Sequence, residues 1–243
     1  MLSSARRWRG QKGAWAVTTV GAVIVGGGRG ERMGGMDKVF APLGGEPILA
    51  YSLAAFEASR LVHFIVVVLN ERNLAQGRAL IDAGRWRKVI AVIAGGERRQ
   101  DSTRRGLAAL PPCDLVAVHD AARPFVTTEL IRRGVETALA CGAAVAAMPV
   151  KETIKRVRDD GLVIATPPRE TLWAAQTPQI ARRDVLETAL AQAAERGATV
   201  TDEAAALEAI GQAVMVFAGS YTNIKVTTPE DLILAAALLE AGL

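Results

Sequence analysis

The run VGAVIVGGGRGERMGGMDK, Val20 to Lys38, sets an apolar segment directly against a glycine-rich one that also carries Arg29, Arg32 and Lys38. Its first part, Gly21 to Val25, is apolar on every residue, as a strand buried on both faces of a mostly parallel sheet requires. Runs of the same kind recur at Phe64 to Leu69, Val89 to Ala94, Leu115 to His119, Ala143 to Met148 and Val214 to Phe217. Amphipathic stretches lie between them. The clearest, Glu46 to Ser59, predicts a helix with Pro47 in its first turn and Leu49, Leu53 and Phe56 on one face. Another helix is expected from Thr228, which would cap it, with Pro229, Glu230 and Asp231 in the first turn.

Alternating strands and helices imply right-handed crossovers and an α/β domain: a Rossmann-like, mostly parallel open sheet with helices on both faces. Ligands in such sheets bind beyond the carboxyl ends of the strands. With no internal repeat, low-complexity tract or long linker, residues 19–243 read as a single domain. One segment breaks the rhythm. Lys151 to Thr166 holds TIKRV and LVIAT around Asp159, Asp160 and Gly161, which predicts a β-hairpin with a tight Asp-Gly turn. A hairpin inserted into an α/β domain projects as an arm, at about residues 151–175, or else is a solvated surface ribbon.

The 243 residues are half hydrophobic, ample for a core and against disorder. Cys113 and Cys141 have no CxxC partner, and the histidines are only His63 and His119, so neither a zinc site nor a disulfide framework is expected. The net charge of +4 is uneven, with Arg6, Arg7, Arg9 and Lys12 loading a basic, flexible extension over residues 1–18. That extension is too short and too interrupted by charge for a signal or a membrane span, which makes the cytoplasm the expected address and no membrane partner expected. A basic arm is a weak signal for nucleic acid, and no nucleic-acid partner is expected.

Glycines without side chains let backbone amides close around phosphate oxygens, while neighbouring cations neutralise the charge. In Gly26 to Lys38 the dinucleotide pattern fails: Gly28-x-Gly30 is followed by Arg and Met, and no acidic residue ends the second strand. A Walker loop fails for want of Gly-Lys-Ser/Thr. Gly28, Gly30, Arg32, Met33 and Lys38 instead resemble the triphosphate loop of sugar-nucleotide pyrophosphorylases, Gly-x-Gly-x-Arg-Met followed by Lys. After the third strand, GGERRQDS offers Gly95 and Gly96 for close backbone approach and Ser102 as a hydrogen-bonding group; Asp101 or Ser102 could equally cap a helix. HDAARPF, His119 to Phe125, places Asp120 at the carboxyl end of a buried strand, where it can hold a hard cation such as magnesium; a turn residue before Arg123 and Pro124 is the competing reading. His119 reads as a packed histidine.

From Val20 to nearly the end the chain resembles the 2-C-methyl-D-erythritol 4-phosphate cytidylyltransferases of the non-mevalonate isoprenoid pathway. The glycine-rich loop, RRQDS at 98–102, HDAARPF, KETIKR, LWAAQTPQ at 172–179, TDEA at 201–204 and NIKVTTPEDL at 223–232 carry the likeness, in the family's order. The resemblance implies that Gly26, Gly27, Gly28 and Gly30 with Arg32 and Lys38 hold the CTP phosphates, Arg32 and Lys38 stabilising the transition state. It also implies that Gly95, Gly96 and Ser102 recognise cytosine and ribose, and that Asp120 serves magnesium and substrate with Arg123 in support. Thr153, Arg169 and Lys225 match positions that bind methylerythritol phosphate, Lys225 facing the reacting phosphates. The arm of such enzymes crosses a two-fold axis, so a homodimer is implied in which Thr153 and Arg169 complete the neighbouring site. The first loop departs from the family, with Val25-Gly26-Gly27-Gly28 where Pro-Ala-Ala-Gly is usual, and there looks like that of molybdenum-cofactor guanylyltransferase. The later motifs favour CTP.

The expected reaction is in-line attack of the acceptor's phosphate oxygen on the α-phosphorus of CTP. A phosphate monoester is already largely ionised, so no general base is needed. Two other readings share these residues: a cytidylyltransferase for another polyol phosphate such as ribitol 5-phosphate, and a non-catalytic nucleotide-binding homologue.

Overall fold

The computed structural model describes residues 18–27 and 37–243. The expected basic extension up to residue 17, and Gly28, Gly30 and Arg32 of the glycine-rich loop, lie outside the described residues. Strands β1 (Val20–Gly26), β2 (Val62–Leu69), β3 (Val89–Ala94), β4 (Leu115–Asp120), β5 (Ala143–Pro149), β6 (Trp173–Arg182) and β7 (Met215–Ala218) form one sheet in the order β7-β5-β6-β4-β1-β2-β3. Every pairing is parallel except those of β6, which runs against both β4 and β5. The six expected strands are all present. β6 was not expected and stands in the middle of the sheet.

Helices α1 (Ile48–Ala58), α2 (Leu74–Asp82), α3 (Arg99–Ala109), α4 (Thr128–Cys141), α5 (Arg183–Glu195), α6 (Glu203–Ala209) and α7 (Pro229–Glu240) complete the fold. Alternate residues of the strands divide between two cores. Ala22, Ile24, Ile65, Val67, Leu115 and Ala117 meet Leu53 and Phe56 of α1 and Leu130 and Ile131 of α4. Val23, Val25, Val66, Val68, Val116 and Val118 meet Leu107 of α3, Leu186 of α5 and Leu207 of α6. Strands apolar on both sides are thus used on both sides, each fully buried leucine or valine contributing about 1.5–3 kcal/mol. A third cluster seats α7 through Ala235 against Val226, Phe125 and Ile48.

Two expectations need correction. Pro47 is not in the first turn of α1 but is its N-cap residue, extended at φ −62° and ψ 144° and paired with Pro42 in a two-residue ribbon. A residue without an N–H loses nothing there, and Glu46 beside it is held by both Nη atoms of Arg85, at 3.2 and 3.0 Å. The hairpin is present, Arg156–Val157 against Val163–Ala165, with Gly161 supplying the left-handed turn residue at φ +84°. Its arm ends earlier than expected, because Trp173 to Ala175 already pair with β5 in the main sheet. No helix among the described residues is long and apolar enough to cross a membrane.

Candidate active site

From β1 the chain runs through α1 to β2 on one side, and it returns through α3 to β4 on the other, so β1 and β4 flank a topological switch point. Val25 stands opposite Asp120 in the ladder between them. A cleft opens just beyond, lined by Gly26, Gly27, Lys38, Glu97, Arg99, Ser102, Asp120 and Lys225. This is where an open α/β sheet offers its ligand site.

At the centre is Asp120, 7 % exposed. Its Oδ2 lies 2.7 Å from Lys225 Nζ and 3.8 Å from Arg123 Nε, and its Oδ1 lies 3.1 Å from Arg99 Nε. Burial pushes the carboxyl upward, but the opposing charges of Arg99 and Lys225 outweigh it and hold the group well below the usual carboxylate range. Asp120 is therefore ionised. Its backbone N–H donates to Thr177 Oγ1 at 3.0 Å, and the same hydroxyl reaches His119 Nδ1 at 3.0 Å. His119 is fully buried, tilted against Phe56 with ring centroids 5.1 Å apart, and burial pushes its imidazole down to about 4. It does not line the cleft and acts as packing that fixes the turn after β4.

Lys225 is placed by its neighbours. Asn223 O accepts from Arg123 Nη1 at 2.8 Å, and Val226 N–H donates to Ala122 O at 2.8 Å. The turn after β4 and the segment before α7 are thereby stitched together, with Lys225 between the two stitches.

A family model for 2-C-methyl-D-erythritol 4-phosphate cytidylyltransferase, IspD, matches residues 20–241. The chain belongs to this family. A relative named 2-C-methyl-D-erythritol 4-phosphate cytidylyltransferase from Dehalococcoides mccartyi strain 195 is 46% identical over 223 residues, covering 92% of this chain and 97% of that protein. Two solved structures have the same fold. The 4-diphosphocytidyl-2C-methyl-D-erythritol synthase of Anaerococcus prevotii matches with a TM-score of 0.83 at 28% identity, over 92% of this chain and 96% of that one. The 2-C-methyl-D-erythritol 4-phosphate cytidylyltransferase of Thermus thermophilus matches with a TM-score of 0.74 at 34% identity, over 92% and 100%.

In this IspD-family chain the cleft brings together Gly26, Gly27, Lys38, Ser102, Asp120 and Lys225 of the expected residues. Arg123 stands behind Asp120. Gly95 and Gly96 do not line the cleft, and packing accounts for their missing side chains: a Cβ would come within 2.7 Å of Ser102 Oγ at Gly95 and within 2.4 Å of Asp101 Cβ at Gly96. Ser102 is buried, and its Oγ accepts from Gly96 N–H at 3.1 Å, so the hydroxyl braces the loop. Asp101 serves the start of α3, accepting from Arg98 N–H at 3.2 Å. Thr153 and Arg169 lie exposed on the arm; Arg169 Nη1 donates to Lys151 O at 2.8 Å, and neither residue lines the chain's own cleft.

Arg99, Thr177 and Glu203 were not among the expected site residues. Arg99 lies within the RRQDS run, Thr177 within LWAAQTPQ and Glu203 within TDEA, but their partners are remote along the chain: Arg99 meets Asp120 and Glu203 21 and 104 residues away, and Thr177 meets Asp120 57 residues away. Residue type alone gave no sign of those pairings.

Proposed function

We propose that this protein transfers the cytidylyl group of CTP to 2-C-methyl-D-erythritol 4-phosphate, forming 4-diphosphocytidyl-2-C-methyl-D-erythritol and pyrophosphate in the non-mevalonate isoprenoid pathway. The observation that carries the reading is the cleft at the β1–β4 switch point, which Lys38, Arg99 and Lys225 line together with Asp120 in a chain whose residues 20–241 match the family. A polyphosphate and a phosphate monoester brought together need such an excess of positive charge.

In the proposed step an oxygen of the acceptor phosphate forms a bond to the α-phosphorus while the bond from that phosphorus to the bridging oxygen breaks. The electron pair leaves on pyrophosphate. Lys38 faces the charge that grows on the triphosphate side, and Lys225 faces the acceptor phosphate and the α-phosphoryl oxygens. Fixed cations in a water-poor cleft need no reorganisation when charge moves, which is the source of most of the acceleration. Buried neutral His119 takes no proton, consistent with a nucleophile that is already ionised.

Magnesium fits the donor set in one way only. Among the described residues there is no group of three His, Cys, Asp or Glu side chains able to hold a metal, so an ion would be shared between Asp120 and substrate phosphates. Magnesium commonly takes one or two carboxylates with phosphates and water. When bound it would neutralise phosphate charge, and Asp120 is the residue that would orient it.

The arm presents Ile154, Val157, Leu162, Val163 and Ile164 to solvent. Apolar side chains on a ribbon favour a partner surface over water, and the homodimer of this reading gives them one while carrying Thr153 and Arg169 to the neighbouring cleft. The protein works in the cytoplasm in this account. Pyrophosphate release from CTP with methylerythritol phosphate, set against GTP as donor and ribitol 5-phosphate as acceptor, tests the assignment. Release with CTP and methylerythritol phosphate at least tenfold above either substitution is expected on the scale of hydrogen-bonded discrimination; equal or faster release with ribitol 5-phosphate or GTP overturns it.

A further inference from the structure

The TDEA run at 201–204 opens α6 and contributes no wall to the cleft. Glu203 is nevertheless buried to 2 % exposure, and its Oε1 accepts from Arg99 Nη1 at 2.7 Å and from Thr103 Oγ1 at 2.9 Å. Arg99 spans the gap, with its Nε on Asp120. A carboxylate, a guanidinium and a second carboxylate thus form one chain from α6 to the end of β4. Arg99 Nη2 and Glu203 Oε2 are buried with no hydrogen-bond partner in the structure. Burying charged atoms with open valences is costly, and an apolar contact would fasten α6 to α3 more cheaply.

We infer that Glu203 is a positioning residue for Asp120, acting through Arg99. The inference rests on the reading above in which Asp120 receives a divalent cation with the triphosphate. Around Asp120 stand three cations, Arg99, Arg123 and Lys225. Against the single Asp120 carboxylate they leave an excess of positive charge, which repels a metal ion; Glu203 lessens it and takes up the far edge of the Arg99 guanidinium. Asp120 Oδ1 is then held in a fixed direction by Arg99 without being surrounded by uncompensated positive charge. Partners one step removed from a metal commonly set its affinity in this way.

The probe is Mn2+ titrated into the protein with CTP and no acceptor, followed by calorimetry, so that binding is read without turnover. Glu203→Gln is expected to weaken Mn2+ about tenfold or more. Adding Arg99→Gln to it removes the guanidinium that directs Asp120 Oδ1, and the double variant is expected to recover little of the affinity. Ala206→Gly, which loosens α6 without touching a charge, is expected to lower Tm and leave Mn2+ affinity as in the parent. Asp120→Asn separates the inference from the reading beneath it. If Asp120→Asn abolishes Mn2+ binding while Glu203→Gln leaves it unchanged, or if the double variant regains the parent affinity, the positioning role is overturned. If Asp120→Asn binds Mn2+ normally, the metal assignment and the positioning role fall together.

Discussion

Lys225 and Asp120 illustrate how much of a site one pair can set. At a few ångströms and an effective dielectric near 20, opposite unit charges attract by about 4 kcal/mol, which is enough to keep a buried carboxyl ionised against desolvation. Asp120 has Arg99 as a second close partner, so losing Lys225 does not strand its charge. Lys225→Met is therefore expected to fold and to bind CTP much as the parent does, while single-turnover pyrophosphate release slows about a hundredfold, the usual effect of removing one fixed charge from a transition state. Near-normal release would remove Lys225 from the reaction. At this scale Asp120 was legible in the sequence because a polar residue ending an apolar strand has few structural uses. Arg99 and Glu203 were not, since a salt bridge between residues 104 apart leaves no local pattern.

Strand β6 shows the corresponding limit for elements. WAAQTPQIAR contains Pro178 and two glutamines, and proline inside a run argues against a central strand because it cannot donate to the ladder. The sheet accommodates it with a bulge: the register against β5 shifts between Ala175 and Gln179. The bulge has a use, for it turns Thr177 toward Asp120 and His119, and Gln176 toward Ser220. The six parallel strands and the start of α7 were legible because burial on two faces and helix capping each leave a local signature. In α7, Thr228 Oγ1 accepts from Asp231 N–H at 3.3 Å while Asp231 Oδ2 accepts from Thr228 N–H at 2.9 Å and from Thr227 at 2.7 and 2.8 Å. Burial pushes the Asp231 carboxyl up, but these hydrogen bonds prevail and lower it. A carboxylate lowered in the folded chain adds stability that is complete above its unfolded value, near 3.9, and is lost as pH falls through the folded one. Asp231→Asn should accordingly cost about 1 kcal/mol near neutral pH, and the difference should shrink once the pH drops below about 4. Urea unfolding of both proteins at the two pH values checks this; a gap that stays constant into acid would show that charge at the cap contributes nothing.

For the molecule as a whole, the question is whether one chain holds a complete site. The cleft contains Lys38, Asp120 and Lys225, whereas Thr153 and Arg169 sit exposed on the arm and do not line it. If the arm serves a second copy, then a chain carrying Lys38→Ala and one carrying Arg169→Ala are each defective at both sites of their own homodimers. In a heterodimer of the two, one site combines both defects. The other joins an intact cleft to an intact arm. Mixed in equal amounts and allowed to exchange, half of the dimers are heterodimers with one sound site in two, so the mixture should recover roughly a quarter of the parent activity under two-fold symmetry. A chain that completed its site with its own arm would give a mixture no better than the average of the two variants. Steady-state pyrophosphate release before and after exchange distinguishes these results, and the recovered fraction should fall with dilution as the dimers dissociate.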